Sequence, residues 1–358
     1  MDHVAEQKCP SCGAALRFDP KLGMLVCDNC GTKTEIPAEL SSGSVDLEGF
    51  DFSAMEEQAA ENGAEALPIY NCVSCGAEVI APAEQIALTC PYCGNNIVLT
   101  DKVSGRLRPD GLIPFRIDKK HLPEAMNRFY KGKALLPKNF FSESAMSKVT
   151  GVYVPFWLFS GRMTGVLRFR AQTTSVHTRG DYEITEHHHY QVLRDADLSF
   201  ADVPVDASGR IDDKLMDSLE PFDTTEVKPF DMRYLAGFTA DRFDRARDDV
   251  APRAKSRMIA SAEDAVSGTL TGQYTSVTRA GGELRAQTSA RYLLLPVYLF
   301  SIAHGGKNYE FAVNGQTGKV VGTLPVSKSV SLQYFLRRLI PAAAIVAAIF
   351  VAKYMLGA

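Results

Sequence analysis

The sequence predicts an α+β protein with two N-terminal zinc ribbons, a mixed α+β domain and a C-terminal transmembrane helix. Three observations carry this expectation. All eight cysteines fall in two sets of identical spacing, residues 105–327 mix alternating strand-like stretches with a few helical ones, and the chain closes on an apolar run. The 358 residues are 46% hydrophobic and 23% charged, with a formal net charge of −3. This is ordinary globular composition in a chain long enough for a substantial core. It lacks the strongly basic balance that would point to nucleic acid.

The cysteines are Cys9, Cys12, Cys27 and Cys30, then Cys72, Cys75, Cys90 and Cys93. Each set reads C-x2-C, fourteen residues, C-x2-C. Four thiolates suit tetrahedral Zn2+, and two such knuckles joined by a short hairpin make a zinc ribbon. Gly13, Gly31, Gly76 and Gly94 follow the four knuckles and suit their tight turns. Ribbons are therefore expected over 1–37 and 68–101, with two structural zinc ions. A disulfide framework is the competing reading, but the polar start "MDHVAEQ" offers no signal peptide. Four sulfurs per ion leave no position for water, which argues against catalytic zinc. Between the ribbons, residues 38–67 carry eight acidic side chains and no basic one, the composition of a flexible acidic linker.

In the domain at 105–327, "DKKHLPEAMNRFYKG" spaces Leu122, Met126 and Phe129 along one helical face behind Asp118, an N-cap candidate. "GVYVPFWLF" is β-prone, and "GVLRFRAQTTSVHT" and "YEITEHHHYQVLRDADLSFADVPV" alternate about a turn at Arg179-Gly180-Asp181. "IDDKLMDSLEPF" and "APRAKSRMIASAEDAVSGTL" read as helices, the second starting near Pro252. "RYLLLPVYLFSI" and "KNYEFAVNGQTGKVVGTLPV" return to strand, with a turn at Asn314–Gly318. "YVPFWLFS" (153–160) and "LLPVYLFS" (294–301) align without a gap, which suggests that two related β units build the domain.

Residues 339–352 are uncharged and mostly apolar. With Tyr334, Phe335 and Tyr354 at the interfaces and Arg337, Arg338 and Lys353 snorkelling, 334–357 suffices for a span. The arginine pair on its N-terminal side predicts that the bulk of the chain is cytoplasmic.

Charge argues against nucleic acid as partner. Residues 34–101 contain twelve acidic side chains and no lysine or arginine, and phosphate binding rests on those cations. The first ribbon, with Lys8, Arg17, Lys21 and Lys33 against Asp19 and Asp28, keeps a nucleic-acid role as the alternative. His187, His188 and His189 put two imidazoles on one strand face, but no second ligand motif accompanies them. His177 and His304 are isolated. "GQTGKVVG" lacks the P-loop pattern, and no G-x-S-x-G elbow occurs. No enzyme activity is expected.

The cysteine sets together with "GVYVPFWLF", "VPVDAS", "LMDSLEPFD", "PFDMRYLAGFTAD", "LLPVYLF" and "NGQTGKVVGTLPVS" resemble a bacterial family of zinc-ribbon membrane proteins, labelled TFIIB-type zinc ribbon-containing. The resemblance runs from Cys9 to Ser327. It implies a place in an envelope-stress system, beside a membrane partner and an SPFH-type protein that recruit PspA. The expected function is a non-enzymatic, membrane-anchored adaptor docking protein partners. Whether the α+β domain takes a small-molecule ligand is open in the sequence.

Overall fold

The computed structural model describes residues 4–5, 8–36, 69–71, 78–80, 85–89, 96–99, 108–137, 140 and 149–355. The first cysteine module supplies β1 (Val4–Ala5), β2 (Leu16–Asp19), β3 (Met24–Cys27) and β4 (Lys33–Thr34). The second supplies β5 (Ile69–Asn71), β6 (Glu78–Ile80), β7 (Gln85–Thr89) and β8 (Asn96–Leu99). Then come β9 (Gly111–Leu112), α1 (Leu122–Tyr130), β10 (Thr150–Arg179) and β11 (Tyr182–Asp206). They are followed by α2 (Asp213–Ser218), β12 (Lys228–Pro229), β13 (Thr239–Asp241) and α3 (Arg247–Gly268). The chain finishes with β14 (Ser276–His304), β15 (Lys307–Asn314), β16 (Val320–Gly322) and α4 (Lys328–Met355).

β10 and β14 pair antiparallel from Thr150↔Leu299 to Gln172↔Ser276 and form the spine of the main sheet. Their residue patterns explain how they are covered. Val152–Phe159 is a continuous apolar run, buried throughout, as expected of a strand covered on both faces. Tyr153, Trp157 and Phe159 pack on one side with α1 and α3, while Val154, Phe156 and Leu158 face Met216 and Leu219 from the α2 region. Beyond Ser160 the strand alternates, and Leu167, Phe169 and Ala171 meet Val266 and Leu270 at the far end of α3. Past Gln172 only the β10–β11 hairpin continues, to a turn at Gly180–Asp181.

The two aligned apolar segments are neighbours in this spine, related about the pair Val154↔Leu295. Each belongs to a β-α-β-β unit: β9, α1, β10 and β11 in one, β13, α3, β14 and β15 in the other. The first strand of each unit pairs with the other unit's long strand, β13 parallel to β10 and β9 parallel to β14. Hydrogen bonds repeat too. Ala207 donates to the Pro155 carbonyl at 2.9 Å, and Gly315 donates to that of Pro296 at 2.8 Å. The Ala207 carbonyl accepts from Asp244 and Arg245; the Gly315 carbonyl accepts from Arg116 and Ile117. The prolines sit where each long strand changes neighbours, from a short parallel strand to its own hairpin partner. A residue with no N–H fits such a seam.

Helix starts follow local chemistry. Asp118 accepts from Lys120 N–H at 3.5 Å and caps the 3-10 turn Lys119–His121 that leads into α1. Asp212 caps α2 through Leu215 N–H at 2.9 Å. α3 departs from the sequence expectation: it begins at Arg247 and not near Pro252, which lies inside it. The Asp249 carboxylate accepts from Ala246 N–H at 3.0 Å and initiates the helix a full turn earlier.

Candidate metal centre

The first cysteine module folds so that its two knuckles face each other. β2 and β3 pair from Leu16↔Cys27 to Asp19↔Met24, which carries Cys27 back beside Cys9. Each knuckle closes identically: Gly13 N–H donates to the Cys9 carbonyl at 2.8 Å and Gly31 N–H to that of Cys27 at 2.9 Å. Gly13 and Gly31 hold φ of +72° and +75°, the left-handed region these turns require.

Cys9 Sγ lies 3.5 Å from Cys30 Sγ, and Cys12 Sγ 3.5 Å from Cys27 Sγ. All four sulfurs fall within 4.8 Å of one another, close enough to bind one metal ion. A tetrahedral ion with metal–sulfur bonds of about 2.3 Å needs sulfurs roughly 3.8 Å apart, so the fit is direct. Cys9 and Cys27 are buried, Cys12 and Cys30 exposed. Outer contacts orient the ligands: Asn29 Nδ2 is 3.6 Å from Cys12 Sγ, and Thr32 Oγ1 is 3.1 Å from Cys30 Sγ.

The thiols are unequal. Desolvation opposes ionisation of Cys9, but the backbone N–H groups of Ser11 and Cys12 and the neighbouring thiol of Cys30 lower its pKa to about 6. At Cys27 the Cys30 N–H favours the thiolate, yet burial and the sulfurs of Cys12 and Cys30 push it up to about 11. Four sulfurs this close do not all ionise unaided. A dication would make four thiolates compatible, and a tetrahedral ion held by all four sulfurs would keep no coordination position for water.

Cys72, Cys75, Cys90 and Cys93, and the acidic linker 38–67, lie outside the described residues. The strands flanking the second set nonetheless keep the register of the first, 63 residues on. Lys8↔Ala15 recurs as Asn71↔Glu78, Leu25↔Thr34 as Leu88↔Ile97, and Val26↔Lys33 as Thr89↔Asn96.

Neither module's hairpin stands apart from the domain. Phe18 N–H donates to the Ala236 carbonyl at 2.9 Å, and the Phe18 ring meets Tyr234 edge-on at 5.2 Å. Leu16, Phe18 and Leu25 are part of the main core. β7 joins the main sheet through Ala87↔Ala240, and β1 adds to the outer side of β8. Sequence reasoning missed this docking; the only trace was the small apolar segment "YLAGF" at 234–238.

The histidines are divided. His187 Nδ1 lies 2.7 Å from Gln172 Nε2 and 3.1 Å from Thr174 Oγ1, a polar contact on one face of the hairpin. Glu186 sits between His177 and His188, at 3.7 and 3.6 Å. His187 and His189 share one face of β11 as the alternation predicts, and His177, Glu186 and His188 group on the other. All are half-exposed, and among the described residues only the four cysteines gather tightly enough for an ion.

α4 leaves the fold as a single helix. Its window Val330–Ile349 is long and apolar enough to cross a membrane, and none of it is buried. An α+β fold of two exchanged β-α-β-β units, with a hairpin whose four cysteines could hold a metal ion docked on it and an apolar helix leading out, defines the class. Within that class the chain is 35% identical over 335 residues, 93% of each sequence, to the uncharacterized protein YdjG of Bacillus subtilis (strain 168), and it belongs to that family. No family model and no solved structure matches the chain.

Proposed function

We propose that the protein is a non-enzymatic adaptor, anchored in the cell membrane by residues 334–357 with its bulk in the cytoplasm. Two structural Zn2+ ions staple its cysteine modules, one on Cys9, Cys12, Cys27 and Cys30 and one on Cys72, Cys75, Cys90 and Cys93. The observation that carries the reading is the pairing of an unburied apolar helix with a closed four-sulfur site. Ile345 and Ile349 are each 61% exposed in α4. Apolar side chains at that density are stable in lipid and costly in water. Reduced thiols held for a metal fit a cytoplasmic location, and Arg337 and Arg338 on the N-terminal side of the apolar run fit the same orientation.

The modules stiffen docking surfaces on the face of the domain that carries them. The proposed partners are membrane-complex subunits, of the SPFH and PspA types, in envelope-stress recruitment. Affinity purification of the full chain from detergent-solubilised membranes tests this. SPFH-type and PspA-type proteins should co-purify, and be lost with Cys9→Ser/Cys27→Ser. A preparation holding neither protein defeats the adaptor reading. Co-purification of nucleic acid that falls steeply with salt would favour the replication or transcription alternative.

A further inference from the structure

Helix α4 is joined to the domain at Ser327. The Ser327 hydroxyl accepts from Val330 N–H at 3.4 Å and caps the helix, while the Ser327 N–H donates to the Leu135 carbonyl at 3.0 Å. The second bond brings the segment after α1, Lys131-Gly132-Lys133-Ala134-Leu135-Leu136, to the base of the apolar helix. Gly132, at φ +82°, turns the chain there. Arg128, Lys131 and Lys133 are exposed, and neither Lys131 nor Lys133 forms an ion pair among the described residues. Lys133 Nζ rests 4.3 Å from the centre of the Phe129 ring, its stem lying along apolar surface.

The two stretches that meet at this junction carry charge of one sign. No Asp or Glu occurs in residues 125–142, nor anywhere in 311–358. Their nine cations include Arg128, Lys131, Lys133, Lys328, Arg337 and Arg338, in a chain whose net charge is −3. The acidic residues that flank these stretches in sequence are Glu124, one turn before Arg128, Glu143, and Glu310 on β15. Two segments almost two hundred residues apart thus meet where the helix departs, and Lys131 and Lys133 lie within four residues of that contact. Screening confines such attraction to about 8 Å at physiological salt. Leu135 is bonded to the helix cap, and Lys133 is only two residues away, no more than about 7 Å of chain.

We propose that residues 128–136 and the start of α4 form a cationic collar that binds anionic lipid headgroups, with Lys131 and Lys133 as its principal contacts. The collar rests on α4 being a membrane span. Anionic phosphate groups in the facing leaflet supply the counter-charge, and the collar fixes how the domain sits on the bilayer. A helix alone would leave it free to swivel.

Hydrogen exchange on the full-length chain in lipid nanodiscs tests this, comparing phosphatidylglycerol with phosphatidylcholine. Exchange across 128–136 should slow about fivefold or more in the anionic discs, and the difference should vanish in molar salt, where screening shortens to about 3 Å. It should also vanish in Lys131→Gln/Lys133→Gln, with α4 still protected. Equal exchange in both lipids, with α4 protected, overturns the collar and leaves the anchor intact. Unprotected α4 in both lipids overturns the anchor and the collar with it. Slowing in phosphatidylcholine discs on adding inorganic phosphate would make this a free-phosphate site. Slowing with a DNA duplex alone would make the partner nucleic acid, and either result overturns the lipid assignment.

Discussion

The Phe18 N–H donates to the Ala236 carbonyl at 2.9 Å, so the four-cysteine hairpin is bonded into the α+β domain. The contact is close around it: a Cβ on Gly237, which holds φ +92°, would lie 2.7 Å from Arg17 Cγ. Arg17 is in turn paired with Asp28, 3.3 Å away and between Cys27 and Cys30. Folding of the four-cysteine hairpin and packing of the domain are therefore coupled.

Metal removal should consequently be felt beyond the hairpin. Elemental analysis of the purified chain is expected to find two zinc ions, and one in Cys9→Ser/Cys27→Ser. Chelation should lower the melting temperature of the domain as a whole. A domain transition indifferent to chelator would separate the module from the fold and contradict the coupling.

Phe18 is 1% exposed, and truncating it removes both its ring contact with Tyr234 and its share of the core. Phe18→Ala should cost about 3–5 kcal/mol in denaturant unfolding, in the range for large core truncations. A loss below about 1 kcal/mol would mean that the hairpin is only loosely seated.

Glycines in the spine mark close backbone approach. A Cβ on Gly165 would sit 2.0 Å from the Glu283 carbonyl oxygen. Gly282, at φ +112°, would place one 2.2 Å from the Val166 carbonyl oxygen. Gly165→Ala and Gly282→Ala should each cost roughly 2 kcal/mol or more. Gly268→Ala, at the end of α3 with nothing within 4 Å, should be neutral or stabilising by up to about 1 kcal/mol. Similar effects at all three sites, by chemical denaturation, would contradict the spine's geometry.

Asp206 gives stability a pH dependence. It is fully buried, with Oδ1 accepting from Arg253 at 2.8 Å and Oδ2 without a partner among the described residues. Burial raises its pKa from 3.8 to about 6, against the opposing pull of Arg253. The folded chain thus holds this proton more tightly than the unfolded one. Its contribution is complete below pH 3.8 and lost as the pH rises through about 6. Asp197, Asp223 and Asp231 are shifted the other way by hydrogen bonds to Arg162, Thr225 and Arg233, so the total profile is mixed. Relative to Asp206→Asn, the natural chain should lose stability between about pH 4 and 7. A difference that stays flat across that range would count against the assignment.

Much of this was legible in short stretches. The cysteine spacing foretold the facing knuckles, because a C-x2-C turn is a local structure. Asp118 announced the turn that leads into its helix for the same reason, and the repeated proline segment pointed to two units. What the residues did not disclose was who pairs with whom. β13 is three residues long, yet it links β7 to β10 and so merges the second module's hairpin with the domain sheet. Pro252 read as a helix start because proline suits a first turn, but Asp249 had already begun the helix. At the histidines, period-two alternation put His187 beside His189. The partner strand also brought His177 to Glu186 and His188 on the other face, and register across a hairpin is not written in one strand.

Membrane fractionation of the full-length chain against one ending at Ser327 bears most directly on the anchored-adaptor account. The full chain should stay in the membrane pellet through alkaline carbonate and molar salt and leave only with detergent, while the shortened chain should be soluble. Full-length protein recovered in the soluble fraction would contradict it.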